Sequence, residues 1–206
     1  MHPVILHTER RIKMTIEDKP HVGGFWHDSD PATYFPVLWE HVVKEYGIKT
    51  VIDVGCGAGW SSLFFKNLGC EVVAIDGSLV AKNVNKVPEC FVFNDYELGS
   101  APIQGEFDLC WSCEFVEHVY EKYSDNFLKD FQRARYLLIT YARIGQGGHH
   151  HVNENTQEYW INRLNDYGFD FLQTETDHFR NIAEKENQNP YNHFKHKGLF
   201  FKRRIL

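Results

Sequence analysis

Short apolar runs alternate with amphipathic stretches along the chain, as in a succession of strands and helices. The apolar runs predict strands at 50–54, 71–75, 90–93, 107–111 and 135–141. The stretches between them predict helices at 60–68, 78–86, 120–133 and 156–167. This alternation is typical of a doubly wound parallel sheet with helices on both faces.

Both ends of the chain depart from this alternation. A helix is predicted over 30–46, where Asp30 can serve as the N-cap, although Pro36 indicates a break inside it. Two further strands, at 169–180 and 197–204, have no helical pattern between them and predict an antiparallel C-terminal hairpin. The predicted fold class is therefore α/β, a Rossmann-like doubly wound sheet of about seven strands that ends in this hairpin.

Length and composition limit the number of domains in the chain. A chain of 206 residues with 43% hydrophobic residues suffices for one globular domain and is short for two. We assign this domain to 35–206 and treat 1–34 as an N-terminal arm that covers the cleft, with Trp26 and His27 as candidates for ligand contact. We expect a cytoplasmic location and no membrane span, since the sequence has no long apolar run, no signal-peptide pattern and cysteines typical of reduced thiols.

A strand that runs into three alternating glycines is the strongest local signal. Asp53-Val-Gly-Cys-Gly-Ala-Gly follows the apolar start of the strand at 50–54 and leads into the helix predicted from Trp60. Glycine lets the backbone turn tightly and leaves no side chain between it and a ligand. The spacing differs from Gly-x-Gly-x-x-Gly, in which a helix N-terminus faces a pyrophosphate. A carboxylate two positions before the first glycine instead suits a ligand with positive charge.

Two more acidic residues follow the next two predicted strands. Asp76 comes directly after the strand at 71–75, where a carboxylate can accept two hydrogen bonds from a ribose diol. Asp95 follows the strand at 90–93, and Tyr96 beside it is a candidate for stacking on a ligand. Asp76 by itself indicates a ribose-bearing cofactor and leaves open which one.

These motifs together resemble those of the class I S-adenosylmethionine (SAM) dependent methyltransferases, over the chain from about residue 35 to its C-terminus. The resemblance implies that SAM, which carries an ammonium and a sulfonium group, binds at the carboxyl edge of the sheet. In that family an acidic residue at the third strand tip contacts the adenine amino group, and Asp95 matches it. The implied cofactor-binding residues are Asp53, Gly55, Cys56, Gly57, Gly59, Trp60, Asp76, Gly77, Ser78, Asn94, Asp95, Tyr96, Ser112 and Cys113.

A second motif, Glu114-Phe-Val-Glu-His118, follows the fourth predicted strand. It resembles a cation-binding motif in the 2′-O-methyltransferases of small-RNA 3′ ends and in the ubiquinone-pathway O-methyltransferases. In the RNA enzymes a downstream histidine completes the site, and a histidine triplet at 149–151 lies at the matching place. Register favours His151 but leaves His149 and His150 open. The resemblance thus implies a site for Mg²⁺ or Mn²⁺ made by Glu114, Glu117, His118 and His151.

A metal would have a chemical purpose beside SAM. A sugar hydroxyl is too weak an acid to ionise near neutral pH, and a Lewis acid lowers its pKa and positions it for attack on the methyl group. Any histidine of the triplet that is not on the metal can take the proton. The catalytic candidates are His149 and His150, together with His118 of the metal set. The leading hypothesis is a metal-assisted SAM-dependent O-methyltransferase for a hydroxyl of a sugar, glycan or polyol. The chain also loosely resembles short methyltransferases of phage, large-virus and bacterial glycan-modification loci.

Other functions share some of these residues. An RNA 3′-end methyltransferase would use the same metal ligands, but a net charge of −6 argues against a nucleic-acid partner. A phenolic acceptor would favour a more apolar entrance. An NAD-binding oxidoreductase would share Asp76 but requires Gly-x-Gly-x-x-Gly, and a non-catalytic SAM-binding module would not need the glutamate and histidine motif. The sequence gives no indication of the oligomeric state.

Overall fold

A computed structural model of the protein describes Val22 and residues 30–204. The interpretations of Trp26, His27 and most of the predicted N-terminal arm therefore lie outside the described residues. The strands are β1 (Thr50–Val54), β2 (Glu71–Asp76), β3 (Phe91–Phe93), β4 (Phe107–Ser112), β5 (Ala134–Ile139), β6 (Phe169–Phe171) and β7 (Leu199–Arg203). The helices are α1 (Pro36–Tyr46), α2 (Trp60–Asn67), α3 (Leu79–Val84), α4 (Ser124–Phe131), α5 (Gln157–Asp166), α6 (Gln173–Glu186) and α7 (His193–Lys197).

All seven strands form one sheet in the order β3-β2-β1-β4-β5-β7-β6. The pairs from β3 through to β5 are parallel, whereas β7 runs antiparallel to both β5 and β6. The predicted fold class, a single Rossmann-like α/β domain with about seven strands, is confirmed. The strand order reverses at β1, which has β2 on one side and β4 on the other, and this switch point is where such sheets bind ligands.

Both faces of the sheet are buried. Consecutive residues of β1 point to opposite faces, so Val51 packs with α1 and α6 while Ile52 packs with α4 and α5. The face covered by α1 is rich in aromatic rings, with Trp39 and Trp111 edge-to-face at 5.4 Å. A sheet covered on both sides leaves the carboxyl ends of its parallel strands as the place where a ligand can approach backbone groups.

The C-terminal region corrects one sequence prediction. The strand predicted at 169–180 ends at Phe171, and residues from Gln173 onwards form α6. The buried positions Thr176, Phe179 and Ala183 are three and four residues apart, which is helical rather than strand spacing. The last two strands do pair antiparallel, but α6 and α7 lie between them in sequence, so they do not form a simple hairpin.

Two predicted helices begin later than the sequence pattern suggests. The first starts at Pro36 rather than at 30, because Asp30 closes a short turn through its side chain and backbone. The fourth starts at Ser124 after a single turn of 3₁₀-helix at Glu121–Tyr123. Within the described ranges, no helix combines the length and the apolar character that crossing a membrane requires.

Candidate active site

A cavity of about 370 Å³ opens at the carboxyl ends of β1, β2 and β4. The glycine loop after β1 forms one wall, and the segments after β4 and β5 form another. Val22 and three residues before α1, namely Asp30, Thr33 and Tyr34, also line it. The cavity therefore lies at the switch point of the sheet and is partly covered by residues that precede the first described helix.

The glycine loop is held by backbone bonds to β2 and by the carboxylate of Asp76. The amides of Gly55 and Cys56 both donate to the carbonyl of Ile75, at 2.9 and 3.0 Å. Asp76 accepts from the amides of Gly57 and Ser78, each at 2.8 Å. Burial raises the pKa of Asp76 to about 6, and these amide bonds only partly offset it. Asp76 thus stabilises the loop and also faces the cavity in which a ribose would bind.

Asp53 anchors the first turn of α2 from beneath the glycine loop. Its Oδ2 accepts hydrogen bonds from the hydroxyls of Ser61 and Ser62, both at 2.6 Å, and the side chain is buried. Burial raises the pKa of Asp53 to about 6, although both serine bonds lower it. The carboxylate consequently carries a desolvation cost that a cationic ligand in the cavity would reduce.

This raised pKa makes Asp53 a source of pH-dependent stability. Below about pH 4 the carboxyl is protonated in both the folded and the unfolded chain. As the pH rises towards 6, only the unfolded chain releases the proton, so the free energy of unfolding falls. The fall ends above pH 6, once the folded chain has released its proton as well. We expect the unfolding free energy of the wild type to fall by about 1–3 kcal/mol relative to Asp53→Asn between pH 4 and pH 7. Urea unfolding at intervals across this range measures it, and parallel curves for the two proteins would contradict it.

The structure brings most of the predicted cofactor-binding residues to the cavity. Those that line it are Asp53, Gly55, Cys56, Gly57, Trp60, Asp76, Gly77, Asn94, Asp95, Tyr96 and Cys113. Tyr96 is buried, and its ring packs edge-on against Phe115 and Phe127. Most of the ring is therefore packed in the core, although the residue lines the cavity.

Three predicted cofactor-binding residues lie outside the cavity lining and have structural roles. The hydroxyl of Ser78 accepts from the amide of Ala81 as the N-cap of α3. Ser112 is fully buried and donates to the carbonyl of Val54 at 2.9 Å. Gly59 begins α2 with φ of 79°, where a Cβ would lie 2.8 Å from the Asn85 side chain.

Glu117, His118 and His151 form a cluster at the same edge of the sheet. One ligand atom from each lies within 4.8 Å of the other two. The loop after β5 is fastened to the 3₁₀ turn after β4, because the amides of Val152 and Asn153 both donate to the carbonyl of Glu117. Two segments separated by more than thirty residues in sequence thus present their side chains to one point.

The carboxylate of Glu117 is the least satisfied polar group of this cluster. The side chain is fully buried, and neither carboxylate oxygen has a hydrogen-bond partner within the described part of the chain. Burial raises the pKa of Glu117 well above its usual range, and the charge of Glu114 adds to the effect. Burial also lowers the pKa of His118 to about 4. A buried acceptor without a donor is costly, and a cation between these three side chains would satisfy it.

His151 is oriented by a carboxylate on its far side. Its Nδ1 lies 3.3 Å from Oε1 of Glu154, and Glu154 also accepts from the amides of Gly145 and Gly147. This arrangement leaves Nε2 directed at the cluster, as in sites where a carboxylate fixes the ring of a metal-binding histidine. Gly148 leaves room for the ring, because a Cβ there would lie 2.5 Å from Nε2 of His151.

Glu114, the fourth predicted metal ligand, does not join this cluster. It has φ of 51°, and its carboxylate turns towards α7, where Oε2 lies 2.9 Å from Nδ1 of His193. Oε1 accepts from Lys197 at 3.0 Å and from Thr140 at 2.9 Å. Burial raises the pKa of Glu114, but His193 and Lys197 together outweigh it and hold the pKa at about 2. Both oxygens of this carboxylate have partners, and Glu114 is not among the three residues that could hold an ion together.

The other histidines of the predicted catalytic set lie at or near the cavity. His149 lines it, as do His118 and His151. His150 has φ of 49°, and its ring packs edge-on against Tyr120 with the centroids 5.8 Å apart. His193 also lines the cavity, and sequence reasoning missed it because it belongs to a short helix without any motif.

Comparisons with known proteins agree with this geometry. Residues 52–135 match the methyltransferase domain family. A chloroplastic tocopherol O-methyltransferase from Arabidopsis thaliana is 33% identical over 113 residues, which are 48% of this chain and 32% of that protein. A malonyl-[acyl-carrier protein] O-methyltransferase from Erwinia billingiae is 35% identical over 79 residues, 36% of this chain and 30% of that protein. The matched segments thus span about a third of the length of these curated relatives.

Solved structures share the whole fold. A TehB-like SAM-dependent methyltransferase from Corynebacterium glutamicum superposes with a TM-score of 0.58 at 15% identity, covering 97% of this chain and 99% of that one. Magnesium protoporphyrin IX methyltransferase from Synechocystis has a TM-score of 0.52 at 17% identity, covering 84% and 76%. The chain thus shares the fold of these methyltransferases, and residues 52–135 match the methyltransferase domain family.

Proposed function

We propose that the protein transfers the methyl group of SAM to a hydroxyl oxygen of a sugar, glycan or similar polyol, with the help of a divalent metal ion. The observation that carries the proposal is the cluster of Glu117, His118 and His151 at the cavity, with a buried glutamate whose carboxylate accepts no hydrogen bond from the described residues. Both curated relatives described above are named as O-methyltransferases, which supports oxygen as the accepting atom.

The cavity offers the donor a site of matching chemistry. The carboxylates of Asp53, Asp76 and Asp95 all line it, so they would stabilise the ammonium, the ribose diol and the adenine amino group respectively. The open backbone of the glycine loop allows the amino-acid part of SAM to lie against it. We propose that this wall binds SAM and that the wall made by the segments after β4 and β5 receives the acceptor.

The metal set fits a divalent transition metal. Two imidazoles and one carboxylate favour Mn²⁺ or a later transition metal over Mg²⁺, which prefers oxygen ligands. When bound, such an ion would lower the pKa of an acceptor hydroxyl and fix its oxygen. Glu154 would fix the orientation of the His151 ring, and the backbone hydrogen bonds to the carbonyl of Glu117 would keep the two ligand segments together.

We propose that the segment before α1 covers the bound donor. The proposed division of the chain is accordingly an arm at 1–34 and a domain at 35–206. Tyr34 and Asp30 line the cavity, and the amide of His193 donates to the carbonyl of Ala32. This covering segment is therefore attached to the α6–α7 connection. We also propose a cytoplasmic location, supported by five free cysteines, and no nucleic-acid partner, supported by the net charge of −6.

The proposal is tested by two measurements, calorimetry of SAM binding and the rate of methyl transfer to hydroxyl acceptors. Each is made with Mn²⁺, with Mg²⁺ and after EDTA. We expect SAM to bind in all three conditions, and we expect methyl transfer to disappear with EDTA and return with Mn²⁺. Failure to bind SAM would refute the whole proposal. Activity that persists in EDTA would refute only the metal.

A phenolic acceptor is the second candidate, and one feature favours it. The cavity is lined by the aromatic residues Tyr34, Trp39, Trp111 and Phe115, and one relative is a tocopherol O-methyltransferase. Aromatic walls suit the C–H face of a sugar as well as a flat ring. Competition between methyl β-D-glucopyranoside and catechol as acceptors would separate the two candidates.

Gly148 and Gly147 provide a matched pair for testing the metal site. Gly148 has φ of 147° and Gly147 has φ of 67°. Both values lie in the left-handed region, so alanine strains the backbone at either position. Only at Gly148 does the new Cβ meet His151, since nothing lies within 4 Å at Gly147. We expect Gly148→Ala to weaken Mn²⁺ binding roughly 10–100-fold and Gly147→Ala to leave it nearly unchanged. Calorimetric titration with Mn²⁺ measures both, and equal affinities would count against the assignment of His151.

A further inference from the structure

Glu114, His193 and Lys197 form a buried charged network beside the proposed metal site. Lys197 is 5% exposed, and its Nζ lies 3.0 Å from Oε1 of Glu114 and 3.1 Å from Nδ1 of His193. Glu114 contacts both partners, one through each carboxylate oxygen. A buried lysine is rare unless a carboxylate pairs with it, so the network holds Glu114 as an ionised group at a defined position.

The network also fixes the ring of His193. Asn192 caps α7 and donates to the carbonyls of Ala183 and Asn187, so the helix that carries His193 is fastened to the end of α6. The ring lines the cavity, and its Nδ1 lies beside Glu114, which lines the cavity as well. A carboxylate beside Nδ1 stabilises the tautomer in which that nitrogen carries the proton. In that tautomer Nε2 is the unprotonated nitrogen.

We propose that His193 is the general base that takes the proton of the acceptor hydroxyl, and that Glu114 is the residue that positions it. This proposal rests on the methyl transfer proposed above. The acceptor oxygen bonds to the methyl carbon of SAM, and the S–CH₃ electron pair returns to sulfur to give S-adenosylhomocysteine. The O–H proton moves to Nε2 of His193, and the resulting imidazolium is stabilised by Glu114 until the proton passes to water.

Chemistry favours His193 over His118, one of the catalytic histidines predicted from the sequence. His118 and His151 are assigned to the metal cluster, where a bound cation would occupy their lone pairs. His193 has the carboxylate partner that a general base needs, since a charge beside Nδ1 compensates the positive ring formed during the reaction. His193 lines the cavity together with His118 and His151 of the proposed metal cluster.

The tautomer of His193 tests the proposal without knowledge of the acceptor. In the full-length protein labelled with ¹⁵N-histidine, long-range ¹⁵N–¹H correlation distinguishes a protonated Nδ1 from a protonated Nε2. The signal is assigned through its loss in His193→Asn. We expect the proton on Nδ1 in the wild type and a mixture of tautomers in Glu114→Gln. A proton on Nε2, with Lys197 donating to Nδ1, would overturn the proposal.

Rates provide the second test. Asparagine can keep the hydrogen bond from the Nδ1 position to Glu114 but has no basic nitrogen. With labelled SAM and either catechol or methyl β-D-glucopyranoside as the probe, we expect His193→Asn to lower kcat roughly 10²–10⁴-fold at unchanged SAM affinity. The matched control is His196→Asn, an exposed histidine of the same helix, which should keep the wild-type rate. An unaltered rate in His193→Asn would refute this role, whereas loss of SAM binding by the wild type would refute the proposed function itself.

Discussion

Replacing Glu117 with glutamine is expected to abolish the response of the protein to Mn²⁺ and to lower methyl transfer roughly 10²–10³-fold, which corresponds to several kcal/mol of transition-state stabilisation. The amide keeps the size of the side chain but removes the charge that would hold the cation. The carboxylate is fully buried and accepts no hydrogen bond from the described residues, so its loss leaves no protein donor without a partner.

The stability of the metal-free protein separates this explanation from simple misfolding. A buried carboxylate without a partner destabilises the fold, so Glu117→Gln should unfold no more easily than the wild type in EDTA. At 100 times the dissociation constant, Mn²⁺ should stabilise the wild type by about 2.7 kcal/mol, which raises Tm by roughly 5–10 °C, and should leave the variant unchanged. Thermal unfolding with and without Mn²⁺ measures this. The exposed Glu158, replaced by glutamine, is the control, and a Tm increase retained in Glu117→Gln would refute the metal site.

Gly55→Ala is expected to weaken SAM binding by roughly one to two orders of magnitude and to destabilise the fold more than alanine at an unhindered left-handed glycine. Gly55 has φ of 77°, which costs about 1–2 kcal/mol for any residue with a Cβ. The new methyl group would also lie 2.6 Å from the ring of Phe115. Since both residues line the cavity, the clash displaces either the loop or the ring where the donor would bind.

Gly69 is the matched control for this substitution. It has φ of 86° and is exposed between α2 and β2, and a Cβ there would meet nothing within 4 Å. Gly69→Ala should therefore show the backbone cost alone, with SAM affinity kept, whereas Gly55→Ala should lose a further 1–3 kcal/mol or so through overpacking. Urea unfolding and calorimetry with SAM measure the two effects. Similar losses of stability and affinity in both variants would contradict the proposed role of the Gly55–Phe115 contact.

The central sheet could be predicted because its signals are local. A strand buried on both faces is a short run of apolar residues, and the turn after β1 needs left-handed backbone at Gly55, Gly57 and Gly59. The helix α6 could not be recognised in the same way. Its buried residues are Thr176, Phe179 and Ala183, and a polar threonine among them conceals the helical period. Its packing against α1 and β7, rather than its own pattern, accounts for its state.

The cluster of Glu117, His118 and His151, which we propose as a metal site, was only partly predictable. The resemblance to metal-dependent methyltransferases implied Glu114 and Glu117 together, since sequence spacing says nothing about which way each side chain turns. The left-handed backbone at Glu114 directs its carboxylate to α7, and the 3₁₀ turn directs that of Glu117 to His118 and His151. Neither conformation has a sequence signature as clear as a glycine.

By itself the sequence determined the fold class and the residues at the strand tips, because periodicity and glycine spacing act over a few residues. It also restricted the proposed metal ligands to two short segments. Only the tertiary structure decided that Glu114 belongs with His193 and Lys197 rather than with the metal cluster. Glu114 lies about eighty positions from His193 and Lys197, and what joins them is the packing of α7 against β4, where Phe194 stacks on Trp111. A buried charge requires a partner, and the identity of that partner depends on which segments the fold packs together.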